Sequence, residues 1–217
     1  MKYKLTAESK NIDGVTLFRI EALKDFGDVK AGDLGGWVES ERNLTQNGTA
    51  WVYDNAQIFD NAKVYGDAKV YGNALVYGAA WVYDNGEVGG TAQVFGNAKV
   101  YGYAEIYGYA EVYDNGEVGG TAKVYGDAWV FGYAKVSGDA KVYGNAWVFG
   151  NAWVFSDAEV YGGTAKVYGN TKVYGNAEIY GYAEVYGNAE IYGYAEVSGD
   201  SESQASDEID EAIKKHD

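Results

Sequence analysis

Residues able to do covalent or proton chemistry are few in this chain. Its one histidine, His216, lies next to the C-terminus, and there is no cysteine. That removes a zinc-ligand cluster, a thiol nucleophile and a disulfide framework. A Ser-His-Asp arrangement would have to be built on His216 alone, far from the body of the chain. Paired carboxylates can do acid–base work, but the acids here sit at repeating positions with many equivalents. The segment YDNGEVGGTA occurs at 83–92 and again at 113–122. Its Asp-Asn-Gly-Glu offers oxygen atoms to calcium, yet the spacing matches neither an EF-hand loop nor the nine-residue calcium repeat. It reads better as a corner followed by a hexad in which Gly89 or Gly119 replaces an aromatic. No metal or cofactor is expected. What stands out instead is a group of large rings, Trp129, Phe131, Trp147 and Phe149, spaced so that each pair is 18 residues apart.

The element that positions those rings is a repeat of six. Starting at Val52, an aliphatic recurs every sixth residue to Val160; one extra residue intrudes in YGGTAKV, and the series resumes from Val167 to Val197. Two residues before nearly every aliphatic stands Ala, with Gly86, Gly116 and Thr171 as exceptions. Residues two apart share one side of an extended strand, so Ala and Val face one interior and the residues flanking Val face out. Gly or Asp follows, then usually Asn, Asp or Tyr, which tolerate a corner. A helix cannot carry this pattern, because Gly in every second turn would cost about 1 kcal/mol each. The expected structure is a coil of short strands around a narrow core, with the extra residue forming a one-residue bulge that leaves Val160 between Val142 and Ile179.

The motif, an aliphatic followed four residues later by a small residue as in Val64 and Ala68, resembles the hexapeptide repeat of left-handed parallel β-helices. That resemblance implies an all-β, single-stranded left-handed solenoid with three hexads per triangular coil, about nine coils, and a rod of roughly 40 Å at ~4.8 Å per coil. The entry segment DFGDVKAGDLGGWVESERNLTQNGTAWVYDNA, residues 25–56, resembles the opening of YdcK-type proteins, bacterial and prophage repeat proteins without a settled activity. Val38 and Leu44 are six apart, so a degenerate first coil begins near Gly36. The domain reading is a cap over 1–35, the β-helix over 36–199 and an acidic tail over 200–217 in which SDEIDEAIKKH can form a short helix. The cap covers an end that would otherwise stick. Glu178, Glu184, Glu190 and Glu196, with the acidic tail, discourage end-to-end stacking at the other.

The formal charge of −15 comes from 7 basic and 8 acidic residues in 1–49, 8 and 17 in 50–199, and 2 and 7 in 200–217. Such a surface repels phosphate backbones, so direct nucleic-acid binding is not expected. No signal peptide and no apolar run of membrane-spanning length is evident, which suits a cytoplasmic protein. Tyr or Phe follows the aliphatic in 21 of 25 hexads, which predicts columns of stacked rings, among them Phe59, Tyr77, Phe95, Tyr113, Phe131 and Phe149. Exposed ring patches mark contacts, so Trp129, Phe131, Trp147 and Phe149 are the candidate binding surface.

Enzymes on the hexapeptide fold are acyltransferases and zinc-dependent carbonic anhydrases, which use histidines that the repeat body here lacks. The expectation is therefore a rod without a catalytic role, prophage-associated, presenting an acidic Tyr-rich surface to a host protein. One form of this is a basic partner whose nucleic-acid groove the rod occupies by charge mimicry. The lysines Lys63, Lys69, Lys99, Lys135 and Lys141 interrupt the acid and weigh against that form. The alternatives are a carbohydrate-binding protein that uses the aromatic ladders and an acyltransferase-like enzyme. Oligomeric state is left open.

Overall fold

A computed structural model describes residues 1–199 and the backbone of the strand Gln204–Ala205. The helix expected in the tail, and His216, lie outside the described residues. The chain opens with two antiparallel strands, β1 (Tyr3–Ile12) and β2 (Val15–Ala22), joined through Asp13-Gly14, both at positive φ. β2 then pairs antiparallel with β3 (Leu34–Val38), and β3 pairs in parallel with Gln57–Ile58. From there the chain is a solenoid of about nine turns in which successive hexads visit three sheets in rotation. Among the described residues one sheet has twelve strands, including the β1–β3 extension, and the others have nine and eight.

Each repeat strand in the body is as short as two residues, such as Lys69–Val70, because a corner follows after every aliphatic and its ring. Two-residue strands have no stability of their own; they persist because every coil hydrogen-bonds to the next. Tyr71 N–H donates to Val88 O at 2.9 Å and Leu75 N–H to Ala92 O at 3.0 Å, and the pattern continues along the rod. The register is strict, Val over Val and flanking residue over flanking residue, as in Val130 over Val148 beside Trp129 over Trp147.

The core is as expected from the period. Val130, Val148 and Ala146 are fully buried, and the same holds for nearly every Ala and aliphatic of the repeat. Each such aliphatic contributes about 1.5–3 kcal/mol relative to exposure. Thr171, which stands where Ala is usual, is buried with its hydroxyl donating to Tyr168 O at 2.7 Å, so no polar group is stranded. The residues on either side of the aliphatic face outward. Val160 pairs with Val142 and with Ile179, so the extra residue of YGGTAKV is absorbed at a corner while both neighbouring coils stay in register.

The first coil is longer than the rest. Val38 pairs with Ile58 and Leu44 with Val64, each 20 residues on, whereas Val52 pairs with Val70 after 18. Buried Asn43 holds the added loop, with its amide donating to Asp60 O at 3.1 Å and Ala62 O at 3.0 Å. Tyr3, Phe26 and Trp51 pack edge to face over this end of the core. Tyr3 donates its hydroxyl to Leu44 O at 2.7 Å, and the buried Lys2 ammonium donates to Ala50 O at 2.7 Å. Burial lowers the Lys2 pKa to about 8. No helix of the described residues is long and apolar enough to cross a membrane.

Candidate functional site

The outward residues form vertical columns, because the flat three-sided coil returns each hexad position to the same place. The column read from the sequence exists. Phe59, Tyr77, Phe95, Tyr113, Phe131 and Phe149 stack in turn with centroids 4.8–5.1 Å apart and planes within 5°. It continues to Tyr168 and Tyr186. The two other faces carry shorter ladders, such as Tyr107, Tyr125, Tyr143 and Tyr161. Gly89 and Gly119, the aromatic-deleted positions of the two YDNGEVGGTA blocks, are the breaks. A Cβ at Gly89 would sit 2.1 Å from the Tyr71 ring, and at Gly119 2.4 Å from the Tyr101 ring. The ring of the preceding coil thus lies over each glycine.

This geometry bears on carbohydrate recognition. Rings stacked in parallel cover much of each other's faces, and a sugar needs a free ring face to stack upon. The long ladders therefore serve chiefly to hold coil to coil, at about 0.2–1 kcal/mol for each pair.

The charged columns are also paired vertically. Lys99 reaches Glu117 at 3.1 Å, Glu117 also meets Lys135 at 3.4 Å, and Lys141 meets Glu159 at 2.7 Å. The lysines that interrupt the acid in the sequence thus neutralise acids one coil away. Glu184 and Glu190 are likewise bound by Lys166 and Lys172. Tyrosine hydroxyls add diagonal bonds, Tyr143 to Glu159 at 2.9 Å and Tyr161 to Glu178 at 2.6 Å. Such exposed pairs are worth little singly. Their use here is that they leave few charged groups unpartnered.

One carboxylate that escapes this pairing is Glu111. It precedes Trp129 in its column, forms no ion pair among the described residues, and its pKa is raised by burial. Beyond it Trp129 and Trp147 stack at 5.0 Å and 3°, and Lys166 lies 5.8 Å from the Trp147 ring centroid. Tyr113 meets Trp129 edge-on at 6.2 Å; burial, with the Glu111 charge adding to it, pushes the Tyr113 hydroxyl up to about 12. The structure thus brings all four sequence candidates together: Trp129 and Trp147 in one column, Phe131 and Phe149 in the next.

Only the tryptophan side of this patch is concave. A groove of about 490 Å³ runs along it, lined by Glu111, Trp129 and Trp147 on the sheet and by Tyr109, Asp127, Asn145, Gly163, Thr164 and Tyr182 at the adjoining corner. Tyr109 and Tyr182 are 68% and 53% exposed and stand at its two ends, four coils or about 19 Å apart. Smaller corner residues between them leave the depression. The corner residues were missed from sequence because the hexad was read for its rings. Writing the chain in rows of 18 would have shown two tyrosines bracketing Asp127, Asn145 and the Gly163-Thr164 insertion. Phe131 and Phe149 lie outside the groove. Among the described residues no group of three or more acidic or histidine side chains is placed to hold a metal ion.

With this geometry in place, the comparison with known proteins is informative. Residues 68–84 match the YdcK β-solenoid repeat. The repeat is YdcK-like. Over 61 residues the chain is 43% identical to a protein of Escherichia coli (strain K12) named "Uncharacterized acetyltransferase YdcK". The aligned stretch covers 24% of this chain and 19% of that relative, about a fifth of its length.

The match corrects the expectation of a rod without a catalytic role, because the similar protein carries an acetyltransferase name. The expectation rested on missing histidines. A general base, however, is defined by its proton affinity and its access to substrate, not by an imidazole. A half-buried carboxylate such as Glu111 has its affinity raised by its surroundings, and that depends on which residues stack around it three hexads away.

Proposed function

We propose that this chain is an acyltransferase-like enzyme that moves an acetyl group to an acceptor seated in the Tyr109–Tyr182 groove, with Glu111 as general base. The observation that carries the reading is Glu111 itself: a carboxylate in the groove, without an ion pair, its pKa raised by burial next to Trp129. A raised carboxylate pKa improves a base for work near neutrality. The acetyltransferase name of the YdcK relative supports the choice of reaction.

In this reading the acceptor hydroxyl or amine lies along the tryptophan floor with its reactive atom toward Glu111. As its oxygen or nitrogen bonds to the carbonyl carbon of an acetyl thioester, its proton passes to the Glu111 carboxylate. Collapse of the tetrahedral intermediate breaks the carbon–sulfur bond, and the thiolate leaves with the proton that Glu111 held. Tyr109, Thr164 and Tyr182 hydroxyls and the Asn145 amide supply hydrogen bonds for the acceptor's other polar groups. Excluding water over the indole floor strengthens each of these bonds.

The test is acetyl transfer from a thioester to a panel of hydroxyl and amine acceptors, compared with Glu111→Gln. Removing a general base should lower turnover about 10²–10⁴-fold with little change in fold. Transfer by the Gln variant at the wild-type rate would remove Glu111 from the mechanism. Absence of transfer to any acceptor would defeat the acetyltransferase reading.

A further inference from the structure

A second site lies at the other end of the same sheet, in the β1–β3 extension. Among the described residues ten ion pairs engage ten different lysines and arginines. Lys10 and Arg19 take part in none, although the chain carries a large excess of acid. Both sit on one indole. Lys10 Nζ is 4.4 Å from the Trp37 ring centroid and Arg19 Cζ is 5.1 Å from it, so the two charges are at most about 9.5 Å apart. Each feels the other: burial lowers the Lys10 pKa first, and the Arg19 charge lowers it further. Of the acids on the same strands, Glu21 is held by Lys4 at 3.0 Å and Glu8 forms no ion pair among the described residues.

The polar atoms around this indole are also unpartnered. Arg19 lies opposite Trp37 in the β2–β3 pair, and Trp37 opposite Gln57 in the next. Arg19 Nε, Trp37 Nε1 and Gln57 Oε1 are buried without a hydrogen bond, and Trp37 is 7% exposed. Elsewhere the fold satisfies its buried polar side chains, as at Asn43 and Thr171. Orphaned buried donors cost about 1–3 kcal/mol each, and two adjacent cations without a counter-charge add repulsion. A strained arrangement of this kind is relieved by an anion.

We propose that the Lys10–Trp37–Arg19 cluster binds a phosphate group. Two positive charges match a phosphate dianion rather than a singly charged carboxylate. A guanidinium fork offers paired N–H donors to two phosphate oxygens while an ammonium acts as a point charge on a third. The indole keeps both cations facing outward at a fixed spacing. The site requires nothing of the acetyl-transfer reading and is separate from the groove.

The experiment is calorimetric titration of the full chain with inorganic phosphate and with pyrophosphate, using sodium chloride at matched ionic strength as baseline and sodium acetate as the carboxylate arm. Saturable phosphate binding is expected, at least tenfold tighter than acetate. Lys10→Gln should weaken it at least tenfold, and Lys10→Arg should keep it within about threefold. Because Arg19→Gln can disturb the extension, the arginine is followed in the wild-type chain, where phosphate should shift the Arg19 Nε–H and Trp37 Nε1–H nuclear magnetic resonance signals. No heat beyond the chloride baseline, equal affinity for acetate, or unchanged affinity in Lys10→Gln would each overturn the proposal.

Discussion

Replacing one corner glycine by alanine and, separately, by aspartate tests how the coils are closed. Gly132 has φ +70, and a Cβ there would meet Gly150 N at 3.0 Å and Gly150 O at 3.2 Å in the next coil. A side chain in the left-handed region costs roughly 1–2 kcal/mol, and the contact requires the next coil to give by a few tenths of an ångström. Restricting the unfolded chain returns about 0.4–1 kcal/mol. Gly132→Ala should therefore destabilise by about 1–2 kcal/mol once crowding is included. The chain nevertheless carries Asp at equivalent corners, Asp54, Asp60, Asp84 and Asp114, with φ from +51 to +56. There the carboxylate accepts the N–H of the glycine one coil on: Asp54 from Gly72 at 2.9 Å and Asp60 from Gly78 at 3.1 Å. Gly132→Asp should make the same bond to Gly150 N–H and recover about 1 kcal/mol, the discounted value of a charge-assisted hydrogen bond at an exposed position. The bond holds the Asp pKa below its unfolded value. The recovered stability is thus present above about pH 4 and is lost as pH falls through the folded pKa. Urea denaturation at pH 7 and at pH 3, with slopes compared to confirm an unchanged transition, measures both effects. An alanine variant as stable as the wild type, or an aspartate variant no better than alanine at pH 7, would refute the corner argument.

Two further outcomes are expected. Trp129→Lys combined with Trp147→Lys should leave the fold intact, because outward positions accept stacked lysines at Lys123 and Lys141. The double variant should lose roughly 1–2 kcal/mol of stability from broken ring contacts and should raise KM for any acceptor of the groove at least tenfold; unchanged KM would return both rings to a packing role. At alkaline pH the ladders should fail. Burial raises the pKa of Tyr65, Tyr77, Tyr83, Tyr113 and Tyr125, and burial with a carboxylate partner raises that of Tyr143. Above pH 10 the unfolded tyrosines release protons that the folded ones retain, so stability falls as pH rises from 10 through the folded values. Phenolate absorbance and circular dichroism followed together from pH 9 to 13 should show delayed titration coincident with unfolding, whereas a simple titration near pH 10 with no loss of structure would contradict the burial argument.

Much of the architecture was legible because each hexad states it locally. Ala62 and Val64 two apart fix which side is interior, Gly66 fixes the corner, and repetition excludes a helix or a meander. The ring column from Phe59 to Phe149 followed from multiplying six by three. Even the insertion in YGGTAKV was readable, since Val160 could keep both neighbours only if one corner absorbed the extra residue. All of these depend on backbone preference and side-chain direction, which are set by residues close in the chain.

What the tertiary structure decided depends on residues 18 or more apart and on which corner they share. The pairing of Lys141 with Glu159 turns an apparently mixed surface into a neutralised one. The loss of access to ring faces comes from parallel stacking at about 5 Å, which no single hexad expresses. Glu111 looks like every other repeat acid until the fold seats it beside Trp129 with no lysine above or below, where burial raises its proton affinity. The groove exists because Tyr109 and Tyr182 rise at one corner while Asp127, Asn145 and Gly163 do not. The Lys10–Trp37–Arg19 cluster likewise needs three strands of different connectivity to meet. Sequence specifies direction and spacing along the strand; desolvation and partner choice arise only when coils stack.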